Sequence, residues 1–548
     1  MNKIFSLIFL LFTSATVFSF QLEEATISDL QSAFKKEEIT CEQLVLAYID
    51  RIKNYDLSIA DSAPINAITE INRSALDDAR KLDKDYKTSK KLSGPLHCVP
   101  IILKDNIDSF DTTTTAGSFS LLGNQPIHDA YLTKRLREAG AIILAKGGMD
   151  EFAWGMKGIS SRNGRIGNAY NGNKNPGGSS GGPAAAVSAN FALAGIGSDN
   201  SGSVRVPAAF NGLVSLRPST GLISQAGMFP MGKLDGIAGP ITRTVSDLAA
   251  LLDVLANTYS DGKIKNKYTI SLNKTGLQNK RIGIVKQVGN IDTFSGMPED
   301  VMQLMKKAYS DMEKQGATFV DIKFDKFDVN RDLNQAGEIQ DINNYLNSYP
   351  ASRKDFRDIC VSNRTRNFGD QEKCLAFMIK IDKDALKKIK DAKAIFLKNK
   401  NYVEHTMNER HLDALFIPIS TKGVASYDWA TVNTWRAPVS SNSGMPSISF
   451  IVGYLQGMPV GIELVGRQDA EPTLIEMAYA YELGAPKRQV PVMPLANLKV
   501  QKLSIAEFNN LINQLGKLTY EKVLKQEGNN EKKLTAEVFK AIVQSLLR

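Results

Sequence analysis

Polar and hydrophobic positions along the chain follow two alternating periods. Between residues 27 and 54, Leu30, Phe34, Leu44, Tyr48 and Ile52 fall at helical spacing, which predicts helix. Residues 94–108 differ. A short apolar run through Val99, Ile101, Ile102 and Leu103 ends in Lys104, Asp105 and Asn106, as a buried strand does when it delivers side chains to a site. Residues 129–139 read as helix, and Ala141 to Ala145 as a strand after Gly140. Residues 160–182 are rich in Gly, Asn and Ser and poor in apolar residues. A loop that long inside a globular chain is usually functional or disordered. An Ala-rich helix is expected from Pro183, since proline suits a first turn. Ala194 to Ile196 then leads into a second Gly/Ser loop, 197–203.

The alternation continues downstream. Val245 to Leu255 and Val301 to Gln315 read as helices. Arg281 to Val285, Thr318 to Ile322, Leu415 to Pro418 and Ser447 to Val452 read as strands. This order predicts an α/β fold. Residues 325–410 are charged, helical and expected at the periphery. The tail from about 495 is amphipathic helix with extra lysine. No internal repeat is present.

Composition changes the picture at three points. A hydrophobic fraction of 43% over 548 residues, with 24 Phe, supplies a large core and argues against disorder. Length alone suggests two to four domains. The formal charge of +9 comes from 67 basic and 58 acidic residues, with no Lys/Arg block of the kind that marks a nucleic-acid groove. The first twenty residues have the layout of a secretory signal: Lys3, then an apolar stretch from Ile4 to Phe12, then small residues up to Ser19. Cleavage is expected after Ser19 or Phe20, giving an exported protein. The alternative is an uncleaved anchor, but the apolar run is shorter than the roughly 20 residues a spanning helix needs. No later segment is long and apolar enough to span. Cys41, Cys98, Cys360 and Cys374 form no Cys-x-x-Cys pair, so a zinc or redox motif is not expected. In an oxidising compartment Cys360 and Cys374 are placed to pair around a polar loop; two reduced thiols are the alternative.

The candidate chemistry lies in the two Gly/Ser loops. The first holds Gly177, Gly178, Ser179, Ser180, Gly181 and Gly182; the second runs from Gly197 through Asp199, Asn200, Ser201 and Gly202 to Ser203. Taken singly, each reads as a flexible loop. Together, flanked by apolar elements and preceded by a lysine at a strand end, they suggest a site. Small residues let backbone N–H groups face a ligand, and those of Asn200, Ser201, Gly202 and Ser203 form a candidate oxyanion hole. Gly178 to Gly182 formally fits Gly-x-Ser-x-Gly, but no strand precedes it, and only His405 and His411 lie downstream, in a charged stretch. Gly227 to Lys233 approaches a phosphate loop, yet Leu234 replaces the Ser/Thr and Pro230 interrupts it. No histidine pair has zinc-site spacing, so neither a metal nor a metal-dependent mechanism is expected. With histidine weak, a lysine that burial keeps neutral is a candidate base for a serine, and Lys104 at the strand end is so placed; the alternative is an ordinary surface cation.

At these residues the chain resembles the amidase signature family, over about residues 25–494. Gly94 to Ile107 is similar to the strand bearing that family's catalytic lysine, which places the role on Lys104. Gly177 to Gly182 matches its first serine loop, whose bridging serine in a cis peptide falls on Ser179. Asp199 to Pro207 resembles the second loop, with the nucleophile at Ser203. Further matches are Gly212 to Gly221, Gly239 to Arg243, Gly444 to Pro446 and Gly457 to Gly461. Two departures are Ser201, where glycine is usual, and Pro183, where a small residue is common. The resemblance implies one large mixed β-sheet flanked by helices, overriding the several domains suggested by length. The expected organisation is a signal peptide over 1–20, a catalytic domain over 21–494 and a helical C-terminal extension over 495–548. It also implies a cofactor-free covalent mechanism through Lys104, Ser179 and Ser203.

Substrate choice is less legible. The glutaminase subunit of a tRNA-dependent amidotransferase is one member of this family, but the signal-like start and the missing basic groove speak against it. Simple amides and C-terminal peptide amides are the other options. Residues 336–350 and Ile475 to Glu482 resemble the exported peptide-amidase branch. A non-catalytic amide-binding protein is a further reading, opposed by the intact Lys104, Ser179 and Ser203. The expected partner is a small-molecule or peptide amide, with no nucleic acid and no stable membrane insertion after signal cleavage.

Overall fold

In a computed structural model of the protein, the alternating elements assemble into a single mixed sheet. The structure describes residues 20–58, 63–232, 234, 236–256, 267–329, 337–366, 370–424, 438–485, 488–493, 499–525 and 536–547. The proposed signal segment, Met1 to Ser19, lies outside the described residues. The strands are β1 (Ile68–Ile71), β2 (Pro100–Lys104), β3 (Ile142–Gly147), β4 (Ile159–Ser160), β5 (Gly164–Arg165), β6 (Ala194–Asp199) and β7 (Val214–Arg217). They continue with β8 (Ile237–Thr242), β9 (Arg281–Val288), β10 (Ile291–Asp292), β11 (Thr318–Phe324), β12 (Ala414–Pro418), β13 (Ser447–Leu455) and β14 (Met458–Val465). Twelve of them form one sheet in the order β1-β3-β2-β6-β8-β7-β13-β14-β12-β9-β10, with β11 on β9; β4 and β5 form a separate hairpin. β2 runs parallel to both β3 and β6, whereas β6 and β8 are antiparallel. The α/β expectation with one large mixed sheet holds, and the chain does not split into the several domains its length suggested.

β2, β3 and β6 are buried at every residue. Covered on both faces by helices, they read in sequence as continuous apolar runs rather than as alternation. The main core extends from Ile27 in the first helix to Val543 in the last.

Three local expectations change. The helix expected over 27–54 is two helices, Ile27–Lys35 and Cys41–Tyr55. Each has its own capping box, Thr26 with Asp29 and Thr40 with Gln43, and the second cap restarts the helix after a turn. The strand before the second Gly/Ser loop continues to Asp199, so Ser198 and Asp199 belong to β6 rather than to the loop. The 325–410 region is helical, but it is not merely peripheral. Helices Glu338–Leu346, Phe356–Val361 and Gln371–Asp382 pack a second apolar cluster against Phe152 and Phe229 from the sheet side. Of the two readings of Cys360 and Cys374 the structure has the disulfide, in this layer, with its Cα atoms 5.4 Å apart. A second disulfide, Cys41–Cys98, was not foreseen. Its cysteines are 57 residues apart and meet only because helix Cys41–Tyr55 packs beside the start of β2.

The C-terminal segment docks on the sheet. Helix Ile505–Thr519 buries Phe508, Ile512 and Leu515 in the main core. It covers β1, the terminal strand of the sheet. Asn509 makes two 2.8 Å hydrogen bonds with Ile71 of that strand: Oδ1 accepts from its N–H and Nδ2 donates to its carbonyl. The residues expected as an extension therefore share the catalytic domain's core. Among the described residues no helix is long and apolar enough to cross a membrane. Replacing Asn509 with alanine strands two buried backbone groups of β1. Denaturant unfolding should show a loss of about 2 kcal/mol, and an unchanged midpoint would refute this edge-capping role.

Candidate active site

Strand direction brings the site together. β2 and β6 are parallel neighbours, with Leu103 beside Ile196, so both carry their C-terminal residues to the same edge. That edge is where parallel sheets place their ligand sites. Lys104 is the last residue of β2 and is fully buried. Its Nζ lies 2.6 Å from Ser179 Oγ, 2.7 Å from Ser198 Oγ and 3.3 Å from the Ser198 carbonyl. A tight turn follows, closed by the Ile107 N–H donating to the Lys104 carbonyl at 3.0 Å. It folds Asn106 back toward β6, where Nδ2 donates to Ser198 Oγ at 3.1 Å.

Glycines let the first serine loop approach. At Gly178 a Cβ would sit 1.9 Å from Asp150 Oδ2 and 2.9 Å from the backbone of Met156. At Gly182 it would sit 2.2 Å from the Gly148 nitrogen. The Gly178–Ser179 peptide is cis. The Asp150 N–H donates to the Ser179 carbonyl at 3.2 Å. Ser180 points elsewhere: its Oγ donates to the Ser198 carbonyl and accepts from the Ser198 N–H, each at 3.2 Å. Of the two adjacent serines, Ser179 is therefore the one on Lys104. Pro183 falls in the first turn of helix Gly181–Ser188, where its missing N–H costs no helical bond.

The second loop is organised by Asp199. Buried with Arg205 and Arg217, Asp199 pairs with them at 3.1 and 3.0 Å respectively, and Arg205 also pairs with Glu463. Burial pushes the Asp199 carboxyl upward, but the two guanidinium groups overcome this and hold it well below the usual range. Its oxygens accept from the N–H groups of Gly202 at 2.9 Å and Val204 at 3.0 Å. This corrects one expectation. The Gly202 N–H is turned inward to the carboxylate, so it is not among the donors facing an oxyanion in this conformation. Asn200, Ser201 and Ser203 are the remaining positions of that turn. Ser203, 3% exposed, joins the two loops by accepting the Ser180 N–H on its carbonyl at 3.1 Å.

Burial also sets the charge on the lysine. Desolvation pulls Lys104 down from 10.5 to about 7, opposed by the nearby carboxylates Asp150 and Asp199. Of the residues the sequence singled out, the structure brings Lys104 and Ser179 into contact; it adds Ser198, and it gives Asn106, Asp150 and Asp199 places beside them that the sequence did not assign. Ser198 and Asn106 are ordinary polar residues in sequence, and only strand pairing puts them on the amine. Asp150 was legible as a carboxylate after a strand, without any sign that Gly178 would rest on it.

The amidase family profile matches residues 43–475. The chain belongs to the amidase family. Among curated relatives, a probable amidase of Arabidopsis thaliana is 31% identical over 86% of this chain and 92% of its own length. A glutamyl-tRNA(Gln) amidotransferase subunit of Levilactobacillus brevis is 30% identical, covering 83% of this chain and 95% of that protein. Among solved structures, the peptide amidase of Stenotrophomonas maltophilia superposes with a TM-score of 0.76 at 30% identity, over 86% of this chain and 99% of that one. This amidase is accordingly an amide-hydrolysing enzyme.

Asp150 cannot swing away to admit a methyl group at residue 178. It is held by the N–H groups of Lys157, Gly158 and Ile159. In this amidase Gly178→Ala should displace Ser179 and slow fluorophosphonate labelling by about a hundredfold or more. Near-normal labelling of a folded variant would show that the close approach is dispensable.

Proposed function

We propose that Ser203 is the nucleophile, Ser179 the proton bridge and Lys104 the base of an amide hydrolysis through an acyl-enzyme. The observation that carries this reading is a buried amine, pulled down to about 7, 2.6 Å from Ser179 Oγ. As a neutral amine, Lys104 accepts the Ser179 proton while Ser179 takes that of Ser203. Ser203 Oγ then bonds to the amide carbon. N–H groups of the Asn200–Ser203 turn, Gly202 excepted, stabilise the oxyanion. The proton returns through Ser179 to the leaving nitrogen as the C–N bond breaks. Water then adds to the acyl-enzyme by the same route, releasing the acid and regenerating Ser203.

The reactive form is the unprotonated amine, so activity is lost as pH falls through the folded value of Lys104. The rate of Ser203 labelling, or kcat/KM, should rise through about pH 7 and level off above it. Lys104→Ala should lower it by roughly a thousandfold while leaving the fold intact. A variant with near-normal turnover would remove the lysine from the mechanism.

For substrate, we take a C-terminal peptide amide as the best-supported class. Support comes from the likeness to the Stenotrophomonas maltophilia peptide amidase. The likeness to the glutamyl-tRNA(Gln) amidotransferase of Levilactobacillus brevis favours free glutamine instead. Ammonia release from amidated peptides, glutamine, asparagine and simple amides separates the two; preference for glutamine would overturn the peptide reading. We also assign the protein to an exported location, on the signal-like pattern of its first twenty residues. The exported form should begin at Phe20 or Gln21, and recovery of intact Met1 in that fraction would count against it.

A further inference from the structure

Two lysines lie fully buried on neighbouring strands, Lys104 on β2 and Lys146 on β3. Their surroundings differ in charge: Asp105, Asp108, Glu70 and Asp111 act on Lys146, whereas Asp150 and Asp199 act on Lys104. Lys146 Nζ donates to the carbonyls of Ile107 at 2.6 Å and Thr113 at 3.0 Å and to Thr114 Oγ1 at 3.0 Å. Three acceptors suit the three N–H bonds of an ammonium. Lys104 also has three oxygens around it, and two of them are shared, as the Ile107 carbonyl beside Lys146 is with Thr114 Oγ1. The Ser198 carbonyl already accepts from Ser180 Oγ. Ser198 Oγ already accepts from the Asn106 side-chain amide.

A neutral amine has different needs: two acceptors, and one donor for its lone pair. The Ser198 carbonyl can only accept, so it takes one N–H of Lys104. The other N–H and the lone pair are divided between the hydroxyls of Ser198 and Ser179. Only the arrangement with the lone pair on Ser179 is productive. Asn106 bears on the charge of Lys104 because its N–H occupies one lone pair of Ser198 Oγ. Its positive end also makes that oxygen a poorer partner for an ammonium. Asn106 is fully buried, its backbone carbonyl accepts the Phe229 N–H at 2.8 Å, and its side-chain Oδ1 has no hydrogen-bond partner among the described residues. The other neighbour of its side-chain nitrogen, Met231 Sδ at 2.8 Å, is a weak acceptor.

We propose that Asn106 is a positioning residue for the hydrolysis, acting through Ser198 Oγ to keep Lys104 a neutral amine. This rests on Lys104 being the base. The charged groups facing Lys104 are Asp150 after β3 and Asp199 at the end of β6. Asp199 is itself paired with Arg205 and Arg217. None of these contacts is altered by changing Asn106.

The test reads the pH dependence of Ser203 labelling by a fluorophosphonate, which needs no knowledge of the natural substrate. Asn106→Leu removes the donor without adding charge, and should move the acid limb upward by about half a pH unit or more. Asn106→Asp should move it further, costing about tenfold at pH 7 for each pH unit of displacement, with recovery at higher pH. An equal loss at every pH, with the limb unmoved, would reduce Asn106 to packing and overturn the proposal. Ser198→Ala provides the second measurement. In that background Asn106→Leu should shift the limb no further, because the shared oxygen is gone; a persisting shift would also overturn it. Lys104→Ala separates the two levels. If it labels with the wild-type pH profile, the base assignment fails. If it is inactive while Asn106→Leu is unshifted, only the role of Asn106 fails.

Discussion

The structure depends on an amine buried without a salt bridge. A lysine in a dry interior either loses its proton or finds full compensation. Lys104 is surrounded by hydroxyls and one carbonyl, with Asp150 and Asp199 near but not bonded to it. That imbalance draws its proton affinity down toward neutrality. The neighbouring Lys146, equally buried, donates to three oxygens, and burial lowers its proton affinity too, against four carboxylates around it.

Everything around this amine serves its placement. β2 and β6 bring Lys104 and Ser198 to one edge in register. Glycines at 178 and 182 let the first serine loop press on Asp150 and Gly148 where any side chain would collide. Asp199 holds the second loop by gathering two arginines and two backbone N–H groups on one carboxylate. Buried charge of this kind adds little net stability, but removing one partner is costly. It therefore fixes the loop's conformation more than it strengthens the fold.

Outside this centre, the chain closes its own exposed parts. Helix Ile505–Thr519 covers the edge strand β1 through Asn509, removing an unpaired strand edge. The layer of helices from 338 to 382 rests on the site's rim. Tyr345 donates to Asp108 at 2.7 Å, and Trp154 Nε1 donates to Glu338 at 2.9 Å. The Cys360–Cys374 disulfide joins two helices of that layer.

The sequence by itself determined the α/β alternation, the buried strand ending in Lys104, and the pairing of that lysine with two Gly/Ser loops. These are local signals: apolar runs, turn residues, and motifs a few positions long. It also distinguished Ser179 from Ser180 only through family spacing. The contact that separates them, Lys104 Nζ on Ser179 Oγ, spans 75 residues. Tertiary structure alone decided the rest. Ser198 and Asn106 reach the amine because two strands pair in parallel. The Gly202 N–H turns away from the cleft because Asp199 takes it, an outcome set by Arg205 and Arg217 holding that carboxylate charged and in place. Cys41 finds Cys98, and the last helices join the core, for the same reason: which distant segments pack together depends on the whole buried surface, and no short stretch of sequence carries that information.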